Sequence, residues 1–137
     1  MVLDTAVIVA AVRSKRGASN LLLRLVVEKR LVPLASPPLF LEYEDVLLRP
    51  EHRLTHGLSE AQVEDFLAAL AGWIEPISIH FRWRPQMTDP RDEMVLEAAL
   101  NGRADALVTY NIRDFAAAGA RFGLAVLTPQ QVLEEIR

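Results

Sequence analysis

Short apolar runs alternate with longer segments of helical periodicity along this sequence, and that alternation constrains its fold more than any other feature. It predicts an α/β domain with a mostly parallel sheet of about five strands, because each helix returns the chain to the start of the next strand. The apolar runs occupy residues 2–3, 31–35, 77–81, 106–109 and 124–127.

Capping residues indicate where several helices begin. Ser59 and Gln62 have the spacing of a capping box, and Gly72 is expected to end the helix that follows. Proline at the first helical position, directly after a capping side chain, predicts further helix starts. Helices are thus expected from 36–37 to about 48, from 89–90 to 100 with Gly102 closing it, and from 128–129 to the end, while an apolar stripe predicts another over 18–28.

The segment 77–84 has a different pattern, since apolar and polar residues alternate strictly. A period of two is typical of a strand with one solvated face, which places this segment at a sheet edge. Arg82 and Arg84 would then face solvent or a partner.

Composition limits the domain count and the compartment. The chain has 137 residues, 51% of them hydrophobic, so a single domain over 1–137 with its own core is expected. It has no cysteine, which excludes disulfides and thiolate metal sites. No apolar run approaches the roughly 18 residues of a membrane span, and the acidic start is unlike a secretory signal, so we expect a soluble, cytoplasmic protein.

The charge balance limits how the chain could bind nucleic acid. The net charge is −3 at pH 7, which excludes binding by bulk positive charge and requires any nucleic-acid contact to be local. Arg13, Lys15 and Arg16 form a small basic cluster after the first helix, which is expected to begin near Ala6. They could contact an RNA backbone near a site, and a solvated loop is the equal alternative.

Acidic residues follow the predicted strands, where open parallel sheets bind their ligands. Asp4 ends the first strand, Glu42 lies in the helix after the second, Asp92 starts the helix before the fourth, and Asp114 follows the fourth. Carboxylates that meet at one edge repel one another, so protons or a cation must neutralise them. Mg²⁺ or Mn²⁺ suits such oxygen ligands.

Four segments together carry a resemblance to PIN domains, in particular to the VapC-like toxin group of bacterial and archaeal toxin–antitoxin pairs. They are VLDTAV at 2–7, SPPLFLEY at 36–43, DPRDE at 89–93 and LVTYNIRDF at 107–115. Two positions depart from the PIN pattern. Ala6 stands where Asn is usual, and Asn111 stands where Asp is usual and so lowers the charge of the site by one unit.

The resemblance implies a three-layer α/β/α fold and a metal-dependent endoribonuclease, the toxin of a toxin–antitoxin pair. By resemblance, Asp4, Glu42 and Asp92 would be catalytic metal ligands, with Asp114 as a fourth acid near the end of the fourth strand. Thr109 and Asn111 would support them. The implied partners are RNA, an antitoxin protein and further copies of the chain in a homodimer or higher homo-oligomer.

Other interpretations of the same residues remain open. Asp4 could cap the first helix, and Glu42 could be a solvated residue with Glu44 as its rival. The chain could be a PIN-like RNA- or protein-binding module that lost catalysis through Ala6 and Asn111, or another phosphohydrolase or receiver-like domain with Asp4 as phosphoacceptor.

Two further groups of residues favour structural roles. Asp89 fits a helix N-cap before Pro90. His52 and His56 have a zinc-like spacing, but they lie in an apparent connection over 50–57 without a marked third ligand.

Overall fold

The computed structural model describes residues 1–82 and 84–136. Its sheet is entirely parallel, with strand order β3-β2-β1-β4-β5, which confirms the predicted fold class. The register places Val2 of the central strand beside Leu34 and Leu107. The strands are β1 (Val2–Leu3), β2 (Leu34–Ala35), β3 (Glu75–Pro76), β4 (Ala106–Val108) and β5 (Ala125–Leu127).

Helices cover both faces of this sheet. Val2 and Leu3 point to opposite faces because they are neighbours in a strand, and both are buried. The three-layer arrangement follows from that double burial. In the described part of the chain the helices are α1 (Thr5–Arg13), α2 (Ala18–Val27), α3 (Pro37–Leu48), α4 (Pro50–His56), α5 (Glu60–Trp73), α6 (Pro90–Asn101), α7 (Ile112–Phe122) and α8 (Pro129–Ile136). None of the helices within 1–82 and 84–136 is long and apolar enough to cross a bilayer.

The predicted capping signals are confirmed at four helix starts, including that of α8, where Thr128 and Gln131 form a reciprocal capping box. Ser59 and Gln62 form a reciprocal capping box, and the Ser36 and Asp89 side chains accept hydrogen bonds from the first turns of α3 and α6. The predicted end of α5 at Gly72 is wrong, since the helix continues to Trp73. Gly72 lacks the left-handed backbone that lets glycine end a helix, a conformation that Gly57 and Gly123 do adopt.

The predicted strand over 77–81 is also wrong, although its place at the sheet edge is confirmed. The strand lies earlier, at Glu75–Pro76, and the amide of Ile77 makes a further bond to the Ala35 carbonyl. Beyond it, the Asn101 side chain binds the backbone of His80 and Phe81 in place of a neighbouring strand. The alternation of exposure holds only from Ile77 to His80, and it ends at Phe81, which is 62% exposed.

Arg84 is exposed, as expected, and it also has a partner within the chain. Its guanidinium forms a two-pronged ion pair with the buried Glu97 carboxylate on α6. Arg82 is exposed, as predicted. Trp83, part of the predicted alternation, lies outside the described residues.

The connection expected over 50–57 is a helix. Pro50 stands at its first position, Glu51 lies in its first turn, and Gly57 ends it with φ of 73°. These are ordinary helix start and stop signals. The helix α4 extends the wall formed by α3, and this position brings His52 to the pocket described next.

Candidate active site

An open pocket of about 470 Å³ lies at the carboxyl edge of the sheet. It brings together three predicted acids from distant parts of the sequence: Asp4, Glu42 and Asp92. Asp4 follows β1, Glu42 lies on α3, and Asp92 lies in the first turn of α6. The other residues that line the pocket are Thr5, Ala6, Val9, Ala10, Arg13, Val46, Arg49, His52, Asp89, Arg91, Tyr110 and Asn111.

Asp4 forms the buried end of this pocket, with only 6% of its surface exposed. It stands at the N-cap position of α1 but makes no side-chain capping bond. Its Oδ2 instead accepts a 2.7 Å hydrogen bond from Thr109 Oγ1. Burial raises the pKa of Asp4, against the opposing effect of hydrogen bonds from Thr109 and Thr5. The capping alternative therefore does not explain where this carboxylate points.

Asp92 is half-buried beside the same pocket and shares its electrostatics. Burial, followed by the negative charges of Asp4, Asp89 and Asp114, raises the pKa of Asp92 to about 6. Two neighbouring acids that hold protons this tightly indicate a site short of positive charge. A cation placed between them would relieve that repulsion.

Asp89 has the structural role predicted for it. Its carboxylate accepts the Arg91 backbone amide at 2.9 Å and forms an ion pair with the Arg91 guanidinium at 3.2 Å. These two contacts lower the pKa of Asp89. Asp89 therefore lines the pocket as an ionised carboxylate that is already paired with Arg91.

Glu42 lies on α3, which forms one wall of the pocket. Burial raises the pKa of Glu42, while the nearby Arg49 and Arg91 guanidinium groups act in the opposite direction. Its rival Glu44 is exposed and lines a different, shallower depression near α5. The helix phase thus directs Glu42, and not Glu44, towards Asp4 and Asp92.

The segment after β4 closes another side of the pocket. Thr109 is fully buried, and its hydroxyl accepts the Asn111 amide at 2.9 Å while it donates to Asp4. Asn111 lines the pocket and makes no side-chain capping bond to α7. Asp114 does not line the pocket, but its charge raises the pKa of both Asp4 and Asp92.

The predicted basic cluster divides in the structure. Arg13 lines the pocket at the end of α1, whereas Lys15 and Arg16 are exposed in the turn before α2 and do not line it. The sequence analysis did not place Arg49, His52 or Arg91 at the site, although all three line the pocket. Arg91 could have been inferred from its place in the first turn of α6, and Arg49 and His52 required recognition of α4.

His56, four residues after His52, has a structural role. Its Nδ1 accepts a 3.0 Å hydrogen bond from the Leu58 amide, and its Nε2 lies 3.3 Å from the Leu47 carbonyl oxygen. With both ring nitrogens engaged, His56 stabilises the end of α4. The zinc-like spacing of the two histidines therefore has a structural cause.

The donor set fits a hard divalent cation with a water-rich shell. Among residues 1–82 and 84–136, no three carboxylate or histidine side chains are grouped so that they could hold one ion by themselves. Mg²⁺ is often bound through only one or two carboxylates, and it keeps several waters. Asp4 and Asp92 fit such a pair, while the set of four ligands stays a prediction.

The fold and the pocket define the class of this protein as a parallel α/β domain with a carboxylate-lined site at the carboxyl edge of its central strands. The family assignment follows from a comparison of sequences. The pattern of the PIN domain family matches residues 1–113, and the chain belongs to this family, whose members are generally nucleases. A search of curated proteins found no match.

Proposed function

We propose that this chain is a divalent-metal-dependent endoribonuclease that hydrolyses phosphodiester bonds in RNA. The observation that carries the proposal is the presence of Asp4 and Asp92 in one pocket, where burial raises the pKa of both carboxyls and the charge of Asp4 raises the pKa of Asp92 further. Such a pair favours a divalent cation once both carboxylates are ionised. Membership of the PIN family supports the same chemistry.

The carboxylates in and beside the pocket, and Thr109 behind it, have distinct roles in this proposal. Bound Mg²⁺ or Mn²⁺ would supply Lewis acidity at the scissile phosphate and lower the pKa of an attacking water. Asp4 and Asp92 hold the cation, and Thr109 fixes the orientation of Asp4. Glu42 is a further candidate ligand on the opposite wall. Asp114 acts from the next turn, by charge or through water.

The basic residues of the lining answer a second requirement. RNA must approach a pocket that is rich in carboxylates, so local positive charge has to offset their repulsion. Arg13 and Arg49 lie on α1 and at the end of α3, and both line the pocket. Arginine is suited to phosphate oxygens because its guanidinium donates hydrogen bonds in a planar fork.

A cleavage assay tests the proposal. Purified protein should cut single-stranded RNA in Mg²⁺ or Mn²⁺ and lose this activity in EDTA. The Asp4→Asn variant should be inactive, whereas Asp65→Asn, an exposed change on α5, should cleave like the parent chain. RNA binding without any cleavage would instead assign the chain to the catalytically degenerate binding modules.

We extend the proposal to the biological role, that of the toxin in a toxin–antitoxin pair. Its support is the VapC-like resemblance of the four sequence segments. Induced expression in a bacterial host should arrest growth, and Asp4→Asn should remove the arrest. Continued growth with active, soluble nuclease would overturn the toxin role while leaving the nuclease proposal intact. The antitoxin and the homo-oligomer stay predictions.

A further inference from the structure

Tyr110 has an unusual position for an aromatic residue. It follows directly after the buried strand β4 and the buried Thr109, yet 48% of its surface is exposed. It lines the same pocket as Asp4 and Asp92. An apolar ring is thus presented at the edge of a site that is otherwise dominated by charge.

The Tyr110 ring is held in place at both ends. Its hydroxyl shares a 2.5 Å hydrogen bond with Ser19 Oγ, and Ser19 is buried in α2. Its backbone lies between Thr109, which binds Asp4, and Asn111, whose amide is bound by the Thr109 hydroxyl. The ring therefore has a defined orientation relative to the carboxylates, and its exposure does not come from a free side chain.

In the part of the chain that the structure describes, no aromatic ring packs on the faces of Tyr110. Within residues 1–82 and 84–136, the packed aromatic pair is Phe40 with Tyr43, and Tyr110 takes part in no such pair. Because the hydroxyl is already occupied by Ser19, the remaining binding capacity of Tyr110 is the exposed surface of its ring. A flat, fixed aromatic surface binds nucleobases by stacking, with little preference for base identity.

We infer that Tyr110 is a stacking platform for the nucleobase of a nucleotide bound beside the scissile phosphate. This inference rests on the proposed nuclease function and makes Tyr110 a substrate-positioning residue. Arg13 lines the same pocket, and it forms no ion pair within the described residues, so it is available for a phosphate of the same strand. A stacked base must leave its own helix, so single-stranded RNA is the favoured substrate.

The test measures how much a nucleobase contributes to binding with and without the ring. All variants carry Asp92→Asn, so that RNA is bound but not cut. The probe is a short single-stranded oligoribonucleotide, either intact or with one abasic position that is moved along the strand. Tyr110→Leu removes the aromatic face, and Tyr110→Phe is the matched control that keeps the ring but loses the Ser19 contact.

For intact RNA, adding Tyr110→Leu to the Asp92→Asn chain should weaken binding at least about fivefold. Adding Tyr110→Phe should change the affinity by no more than about twofold. In the Asp92→Asn chain with Tyr110 in place, RNA that is abasic at one particular position should bind more weakly than intact RNA. The chain that also carries Tyr110→Leu should bind both RNAs equally, because the stacking partner is already absent. A purely structural role would weaken binding to intact and abasic RNA alike. In the chain that keeps Asp92 and cleaves RNA, Tyr110→Leu should raise KM more than it lowers kcat.

The failures of the two proposals are distinguishable. If the parent cleaves RNA and Tyr110→Leu shows the same base-dependent binding as Tyr110→Phe, the stacking inference is wrong and the nuclease proposal stands. If the chain neither binds nor cleaves RNA, both proposals fall. Both changes at Tyr110 remove the partner of the buried Ser19 hydroxyl, so both variants should lose a similar, modest amount of stability, and thermal unfolding checks that each still folds.

Discussion

The Thr109 hydroxyl donates a 2.7 Å hydrogen bond to the Asp4 carboxylate, joining residues 105 positions apart in the chain. The contact links the ends of the adjacent parallel strands β1 and β4. Both residues are buried, and the same hydroxyl accepts the Asn111 amide. One threonine thus orients the deepest carboxylate of the pocket and the segment that closes it.

Removing this hydroxyl should weaken both the fold and the site. Thr109→Val leaves Asp4 and the Asn111 amide without their partner, which should lower the free energy of unfolding by about 1–3 kcal/mol. The loss of the hydrogen bond should also raise the pKa of Asp4 further and reduce Mn²⁺ affinity. Thr109→Ser keeps the hydroxyl and should retain most of both properties. Chemical denaturation and metal titration of the two variants measure the difference, and equal affinities would contradict this role.

The stability of the metal-free protein should depend on the protonation of Asp92. Its folded-state pKa of about 6 lies above the ordinary value of 3.8, so the folded state holds this proton more tightly than the unfolded state. This contribution is therefore fully present below about pH 4 and is lost as pH rises to about 6. Burial raises the pKa of Asp4 and Glu42 in the same direction.

Thermal unfolding in EDTA, compared between the parent chain and Asp92→Asn, isolates this effect from other titrating groups. The advantage of Asp92→Asn in melting temperature should grow as pH rises from about 4 to 6 and should then level off. Added Mn²⁺ should stabilise the parent more at pH 7 than at pH 5, because the cation binds the ionised carboxylates. A pH-independent difference between the two proteins would contradict the raised pKa.

Glu93 should stabilise the segment that leads into the site. Its buried carboxylate accepts the backbone amides of Gln86 and Met87 at 2.6 and 2.8 Å, just before the N-cap of α6. Glu93→Ala leaves two amides without this acceptor and should cost about 2 kcal/mol or more. Glu93→Gln keeps one acceptor oxygen and should cost less. Denaturant unfolding measures both, and an Ala variant as stable as the Gln variant would show that these contacts contribute little.

Two glycines offer a matched test of the packing. A Cβ at Gly119 would lie 2.7 Å from the Val126 side chain and 2.9 Å from the Leu124 carbonyl oxygen, whereas a Cβ at Gly72 meets nothing within 4 Å. Gly119→Ala should therefore destabilise the chain by about 1–3 kcal/mol. Gly72→Ala, inside α5, should stabilise it by about 0.5–1 kcal/mol. Opposite signs in thermal unfolding are expected, and a Gly119→Ala variant at least as stable as the parent would refute the close packing of α7 on β5.

The sequence predicted those features that are set by contacts between residues close together in the chain. Asp4 could be located because it ends an apolar run at the carboxyl edge of a parallel sheet, and Ser59 because capping is a contact within four residues. The strand at 77–81 failed for the opposite reason. The backbone amides of His80 and Phe81 are bound by Asn101, a residue distant in sequence that replaces a strand neighbour.

Residues that reach the pocket through helix phase were harder to predict. The sequence left Glu42 and Glu44 as rivals, and only the packing of α3 directs Glu42 to the pocket. His52 was missed because 50–57 was interpreted as a connection. Tyr110 was missed as a site residue because exposure directly after a buried strand depends on how α2 and its Ser19 approach from elsewhere in the chain.

Calorimetric titration with Mn²⁺ tests the central claim, that Asp4 and Asp92 together bind a divalent cation. The parent chain and the exposed control Asp65→Asn should bind Mn²⁺ at pH 7 with the same affinity, and Asp4→Asn and Asp92→Asn should each lose most of that binding. Undiminished binding in both pocket variants, or no binding by the parent at millimolar Mn²⁺, would contradict the claim.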